Sequence, residues 1–229
     1  MHYRAVIFDL LGTLVPRWDS QDTADLRAAM AADLGIPASD FIRAWNETRR
    51  DRDTGMLPSV EDGLVRACQL TGTSVEIGRI AMATQRYAQF ARESLRPRSE
   101  AIPTLQRLRA TSYRSGLISN CGPPIPDAWS DTPLAECTDV ATFSCSVGLQ
   151  KPDARIYIHT CQQLGVQPTE CLYVGDGGSG ELNGATNLGM GAVLIQDPSE
   201  NLRASARIEV NDWSGPRVTR LDEIPRFLS

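Results

Sequence analysis

The sequence predicts an α/β protein: a parallel sheet with a helical bundle inserted near its start. Three observations lead there. The apolar run Ala5-Val6-Ile7-Phe8 reads as a buried strand that ends on an acid, Asp9. Between Leu14 and Pro97 the pattern offers helices and no convincing strand. Beyond Pro97 short apolar runs alternate with helical windows, as in a parallel sheet covered by helices.

The first strand, expected over residues 3–9, must join the later sheet. Residues 15–95 are therefore expected as a helical insertion between two core segments, 1–14 and 96–229. Within the insertion a first helix runs from about Asp22 to Leu34 and stops at Gly35. A second follows Ser39 and puts Phe41, Ile42 and Trp45 on one face. Ser59 with Asp62, and Thr73 with Glu76, have the three-residue spacing of capping boxes, so helices of about Val60 to Leu70 and Val75 to Leu95 follow. Four such helices suit a small bundle. Strands are then expected at Tyr113 to Ser119, Ala141 to Cys145, Cys171 to Gly175 and Ala192 to Ile195, with a helix from Asp153 to Leu164 that ends at Gly165.

Composition narrows the function. With 229 residues, 41% of them hydrophobic, the chain can bury one good core plus an accessory unit. A formal net charge of −5 argues against nucleic acid, whose phosphates call for a basic surface, and favours a small-molecule substrate. No apolar run approaches the roughly 18 residues of a bilayer span, and the chain enters its first strand without a leader, so no membrane partner and a cytoplasmic location are expected. Six scattered cysteines without paired spacing read as reduced core residues. His2 and His159 are the only histidines, too few for histidine-based zinc or triad chemistry. Carboxylates must carry any reaction.

Asp9 is the first candidate, because in an open parallel sheet ligands bind just past the carboxyl ends of the strands, where a carboxylate can attack or hold metal. Two residues on, where a second carboxylate would serve proton transfer, stands Leu11. Asp176 and Glu181 flank a glycine-rich turn after the strand that ends at Gly175, and could hold a hard cation such as Mg2+ through oxygen. Trp45, Arg49 and Arg52 fall at helical spacing in the insertion. An arginine there could bind an anionic substrate, although Arg49, Arg50 and Arg52 also interleave with Glu47, Asp51 and Asp53 as a solvated face does.

Four segments in fixed order, Asp9-Leu10-Leu11-Gly12-Thr13, Ser119-Asn120, Lys151-Pro152 and Gly175-Asp176 with Glu181, resemble the haloacid dehalogenase superfamily. Outside the insertion the resemblance covers nearly the whole chain. It implies a three-layer, Rossmann-like core with the helical insertion as a cap over the sheet edge. It also implies that Asp9 attacks the substrate to form a covalent aspartyl intermediate. Thr13, Ser119 and Asn120 would bind the transferred group, and Lys151 would neutralise the nucleophile and the developing charge. Asp9, the backbone carbonyl of Leu11, Asp176 and Glu181 would hold Mg2+, Glu181 directly or through water.

Three functions follow from that resemblance. The leading expectation is Mg2+-dependent hydrolysis of a small phosphorylated metabolite, with the usual proton shuttle lost at Leu11. The second is hydrolytic dehalogenation of a 2-halo acid, since halide leaves without a proton. Those relatives, however, carry an aromatic residue at the Leu11 position and no magnesium site, whereas Asp176 remains acidic. The third is a non-catalytic, metal-binding domain, supported by Leu11 alone.

Overall fold

The structure, a computed structural model, describes residues 2–198 and 208–228. Among the described residues a six-stranded parallel sheet runs in the order β3-β2-β1-β4-β5-β6. Its strands are β1 (Ala5–Phe8), β2 (Arg114–Ser119), β3 (Val140–Phe143), β4 (Cys171–Gly175), β5 (Gly191–Ile195) and β6 (Arg217–Val218). The chain moves outward from β1 through β2 to β3, then returns to the other side of β1 with β4. The order reverses between β1 and β4, which opens a crevice at their carboxyl ends.

Period-2 alternation gives the sheet two buried faces. Val6, Phe8, Leu172 and Val174 pack on one side with Leu105 and Leu108 of α6 (Ala101–Ala110) and Ile125 and Trp129 of α7 (Pro124–Ser130). Ala5, Ile7, Cys171 and Tyr173 pack on the other with Ile156 and Tyr157 of α10 (Ala154–Leu164) and Leu182 of α11 (Glu181–Thr186). Sheet and helices thus form the three layers expected. Two short helices, α8 (Pro133–Cys137) and α9 (Ser144–Val147), flank β3, and α12 (Ile208–Asp212) precedes β6.

Between β1 and α6 the chain forms α1 (Ser20–Leu34), α2 (Ala38–Glu47), α3 (Arg49–Asp53), α4 (Val60–Leu70) and α5 (Ile77–Ser94). Leu26, Met30, Leu34, Phe41, Trp45, Leu64, Ile80 and Tyr87 make a core of their own there. Ser59 and Asp62 form the expected capping box. Thr73 and Glu76 do not: the Thr73 hydroxyl accepts from Thr71 at 3.1 Å and its backbone N–H closes α4 on Cys68, so α5 begins two residues later than its spacing predicts. The second helix starts directly after Pro37, whose carbonyl takes the Asp40 and Phe41 amides, and not at Ser39. Strand β3 stops before Ser144, whose hydroxyl accepts from the Cys121 amide at 2.9 Å and donates to the Cys121 carbonyl. All six cysteines are free thiols. Among the described residues no helix is long and apolar enough to cross a membrane.

Candidate active site

Strand register brings the acids together. Phe8 pairs with Val174, and the Asp9 amide donates to the Val174 carbonyl at 2.9 Å, so Asp9 and Asp176 emerge side by side at the β1/β4 crevice. Gly12 turns the chain away with φ +89°. A Cβ there would stand 1.9 Å from Asp176 Oδ2, so only glycine lets the loop after Asp9 pass this close. Arg98, at the return from the insertion, pins the same loop: its guanidinium donates to the carbonyls of Thr13 (2.9 Å) and Gly12 (3.2 Å) and pairs with Asp197 at 2.6 Å.

Lys151 sits at the centre of the cluster. Its Nζ donates to Asp9 Oδ1 at 2.5 Å, Glu181 Oε2 at 2.6 Å, the Tyr173 hydroxyl at 3.2 Å and the Ile118 carbonyl at 3.2 Å. Asn120 holds the lysine loop in place, its Nδ2 donating to the Lys151 carbonyl at 3.0 Å and its Oδ1 accepting the Lys151 amide at 2.8 Å. Asp153 then caps α10.

Glu181, the first residue of α11, is fully buried. Beyond Lys151, its Oε2 accepts from Tyr173 at 2.8 Å and its Oε1 from the Gly177 amide at 3.1 Å. Buried Glu209 accepts the next two amides of that helix, Leu182 and Asn183, at 2.9 and 2.7 Å, and Tyr157 donates to the Glu181 carbonyl at 2.9 Å. Asp176 is held differently: Arg17 Nε and Nη2 donate to its Oδ2 at 2.7 and 2.6 Å, and Oδ1 takes the Gly178 amide at 3.0 Å.

The electrostatics follow from this crowding. Burial, then the neighbouring Asp9 and Asp176, push the Glu181 carboxyl up to about 8, with Lys151 opposing. Burial raises Asp9 as well, against the pull of Lys151. Burial alone would lower Lys151, but Asp9 and Glu181 more than reverse it and keep the ammonium.

The residues expected at the site divide into groups. Asp9, Leu11, Ser119, Asn120, Lys151, Asp176 and Glu181 line one cavity of about 340 Å³, which Arg49 also reaches from the insertion. Arg52 lines an adjoining space of about 210 Å³ that shares Leu11, Trp18 and Arg49. Its guanidinium stacks 3.6 Å from the Trp45 ring centroid and donates through Nε to Thr48 Oγ1 and through Nη2 to the Trp45 carbonyl, so two of its five N–H groups and one ring face are engaged within the insertion. Thr13 lies beneath the loop, fully buried, its hydroxyl without a protein partner. Arg17, Arg27, Arg98, Tyr173 and Glu209 also line or brace the site, and no sequence motif marks the first three or the last. Tyr173 carried a faint signal, a hydroxyl on a buried strand three residues before an acid.

Oxygens of Asp9, Asp176 and Glu181 lie within 4.8 Å of one another, all three residues buried. An all-oxygen, carboxylate-rich set of this size suits a hard divalent cation. Glu181 is the least available of the three, since Lys151, Tyr173 and Gly177 already engage both its oxygens.

A family model described as haloacid dehalogenase-like hydrolase matches residues 3–189. Glyceraldehyde 3-phosphate phosphatase of Methanopyrus kandleri is 28% identical over 235 residues, covering 99% of this chain and 98% of the relative. (S)-2-haloacid dehalogenase 4A of Burkholderia cepacia is 25% identical, covering 92% of each. The crystal structure of a HAD phosphatase from Thermococcus onnurineus superposes with a TM-score of 0.65 at 23% identity, covering 99% of this chain and 98% of that one, which shows the shared fold. The chain belongs to the haloacid dehalogenase-like hydrolases, a family in which it is similar to phosphatases and dehalogenases alike.

Proposed function

We propose that this hydrolase cleaves a small, anionic phosphorylated metabolite, with Asp9 as nucleophile and Mg2+ as cofactor. One observation carries the reading: three buried carboxylates converge beside a buried ammonium at the carboxyl edge of the sheet. In the proposed reaction a carboxylate oxygen of Asp9 bonds to phosphorus as the bond to the leaving oxygen breaks. Water then attacks phosphorus and returns Asp9 with release of phosphate. Lys151 orients Asp9 and offsets charge, Ser119 donates to the transferred group, and Asn120 works by fixing Lys151. Mg2+, held by Asp9, Asp176 and the Leu11 carbonyl, with Glu181 one step behind, would supply the remaining neutralisation of phosphoryl charge. Leu11 offers no proton, so the leaving group must depart as a stable anion or find its proton on the substrate or in solvent.

Helices α1–α5 act as the cap in this reading and contribute selectivity. The support is that Trp18, Thr23, Arg27 and Arg49 line the same cavity as Asp9. Arg27 and Arg49 suit a second anionic group on the substrate. Dehalogenation of a 2-halo acid is favoured by one observation, the apolar Leu11 facing the cavity.

Phosphate release from a panel of phosphorylated metabolites, with and without Mg2+, tests the reading. Asp9→Asn should lower it by roughly three orders of magnitude or more, the scale on which nucleophile removal acts. Chelator should do likewise in the native enzyme. Chloride release from 2-chloropropionate, indifferent to chelator, would overturn the reading in favour of dehalogenation.

A further inference from the structure

Arg17 has no role in the reaction as proposed, yet it makes a close, paired contact with Asp176. It stands just before α1, and its guanidinium meets Asp176 Oδ2 through two nitrogens at 2.7 and 2.6 Å. A cation held by Asp176 must contend with that pairing. The two partners differ in exposure: the Asp176 side chain is 3% exposed, that of Arg17 28%.

Arg17 also borders two spaces. One is the reaction cavity; the other is a groove of about 730 Å³ whose lining sets the four acids Asp19, Asp22, Asp25 and Glu93 against two further arginines, Arg86 and Arg96. A guanidinium leaving Asp176 therefore has a second acidic surface within reach of the same backbone position. Trp18, next in sequence, lines both spaces as well and rests edge-on against Phe90 at 5.0 Å.

Resting on the metal reading above, we propose that Arg17 is a displaceable counter-ion of Asp176: it occupies the carboxylate while the metal is absent and yields it, turning toward the acidic groove, when a divalent cation binds. Arg17 is then a positioning residue that acts through Asp176. Between turnovers it offsets the charge of a buried acid whose exposure as a bare anion would be costly, and the same contact weakens metal affinity. Removing it makes the site bind metal more tightly.

Calorimetric titration of MgCl2 into the substrate-free protein tests this without recourse to activity. Relative to wild type, R17Q should tighten Mg2+ binding by about tenfold or more, since one positive charge leaves direct contact with a ligand. R17K, with charge but no paired donors, should fall between them. R114Q, at an exposed arginine at the start of β2, controls for net charge and should match wild type. Trp18 supplies a second readout: Mg2+ should change the emission of wild type, and the change should vanish in W18F and in R17Q. Equal affinities in wild type and R17Q, or equal tightening in R17Q and R114Q, overturn the proposal and leave the metal reading standing. Absence of Mg2+ binding in every variant overturns both.

Discussion

Replacing Leu11 by aspartate probes what this site lacks. Leu11 is half-buried, lies two residues beyond Asp9 and lines both the cavity around Asp9 and the space adjoining it, so a carboxyl at this position can reach open volume. General acid help to a leaving group is worth about 10² to 10⁴ in rate. At about 1.36 kcal/mol per decade this is roughly 2.7–5.4 kcal/mol of barrier. The gain depends on the leaving group: large for an alkyl phosphate, whose alkoxide needs a proton, and small for acetyl phosphate, whose carboxylate does not. The new acid joins a cluster of buried carboxyl groups, and the negative charge it meets there raises its pKa and suits it to donate. Part of Leu11 packs against the core beneath the sheet edge, so the exchange costs about 1–2 kcal/mol of burial. For a domain of this size that lowers Tm by roughly 2–8 °C. The assay is kcat/KM for phosphate release from a primary alkyl phosphate and from acetyl phosphate, in wild type, Leu11→Asp and Leu11→Asn. The expected pattern is a gain of a hundredfold or more on the alkyl ester, little change on acetyl phosphate, and no gain with asparagine, which matches the shape but carries no proton to give. Equal gains on both substrates, or an asparagine variant as active as the aspartate one, would refute the assignment of Leu11 to the missing proton donor.

Two further outcomes follow from the packing and charge of the cluster. Gly12→Ala places a side chain at φ +89° and 1.9 Å from Asp176 Oδ2, so it should cost the roughly 1–2 kcal/mol of a left-handed residue and displace Asp176 as well; Gly72→Ala, also at positive φ but with nothing within 4 Å, should show only the backbone cost, and equal losses of Tm in the two variants would contradict the close approach. In metal-free protein, stability should fall as pH rises from about 4.5 to about 8, because the folded state holds Glu181 protonated with its pKa raised above the unfolded value; the stabilisation is complete below 4.5 and lost through 8. Thermal melts of wild type and Glu181→Gln across that range should therefore converge or cross toward high pH, and parallel curves would show that Glu181 does not titrate there.

What the sequence revealed and what it hid separate along a physical line. Strand β4 and helix α4 are read to the residue, because each is marked by signals within its own length: an apolar run closed by glycine, and a serine three residues before an acid. The end of β3 is misread because Ser144 turns away from the ladder to bond Cys121, 23 residues earlier in the chain. The same limit governs the site. Asp9, Lys151, Asp176 and Glu181 each announce themselves at a strand end or helix start. Their supporting residues do not, since Arg17 meets Asp176 across 159 positions and Arg98 reaches Gly12 across 86. Arg52 illustrates the converse. Helical spacing puts it on the face of Trp45, and only the three-dimensional contact shows the guanidinium stacked on that ring.

Leu11 and Asp176 point toward different chemistry, and the charges around them weigh the two. A halide displacement asks one thing of the acid on β1, that it be ionised and desolvated, and it gains nothing from further buried acids. Here two more stand beside it, at 2% and 0% exposure, and Asp176 is among the groups that raise the pKa of Asp9, which works against an ionised nucleophile. Keeping such acids buried demands the ammonium of Lys151, the guanidinium of Arg17, the Tyr173 hydroxyl and two backbone amides. A divalent cation would convert that burden into use, since its charge would offset the same oxygens and would lower the pKa of the carboxylate proposed to attack. Leu11 removes one step, the proton for the leaving group. Asp176 and Glu181 would have to be explained away entirely, and this asymmetry is why phosphoryl transfer to Asp9 is the better reading of the site.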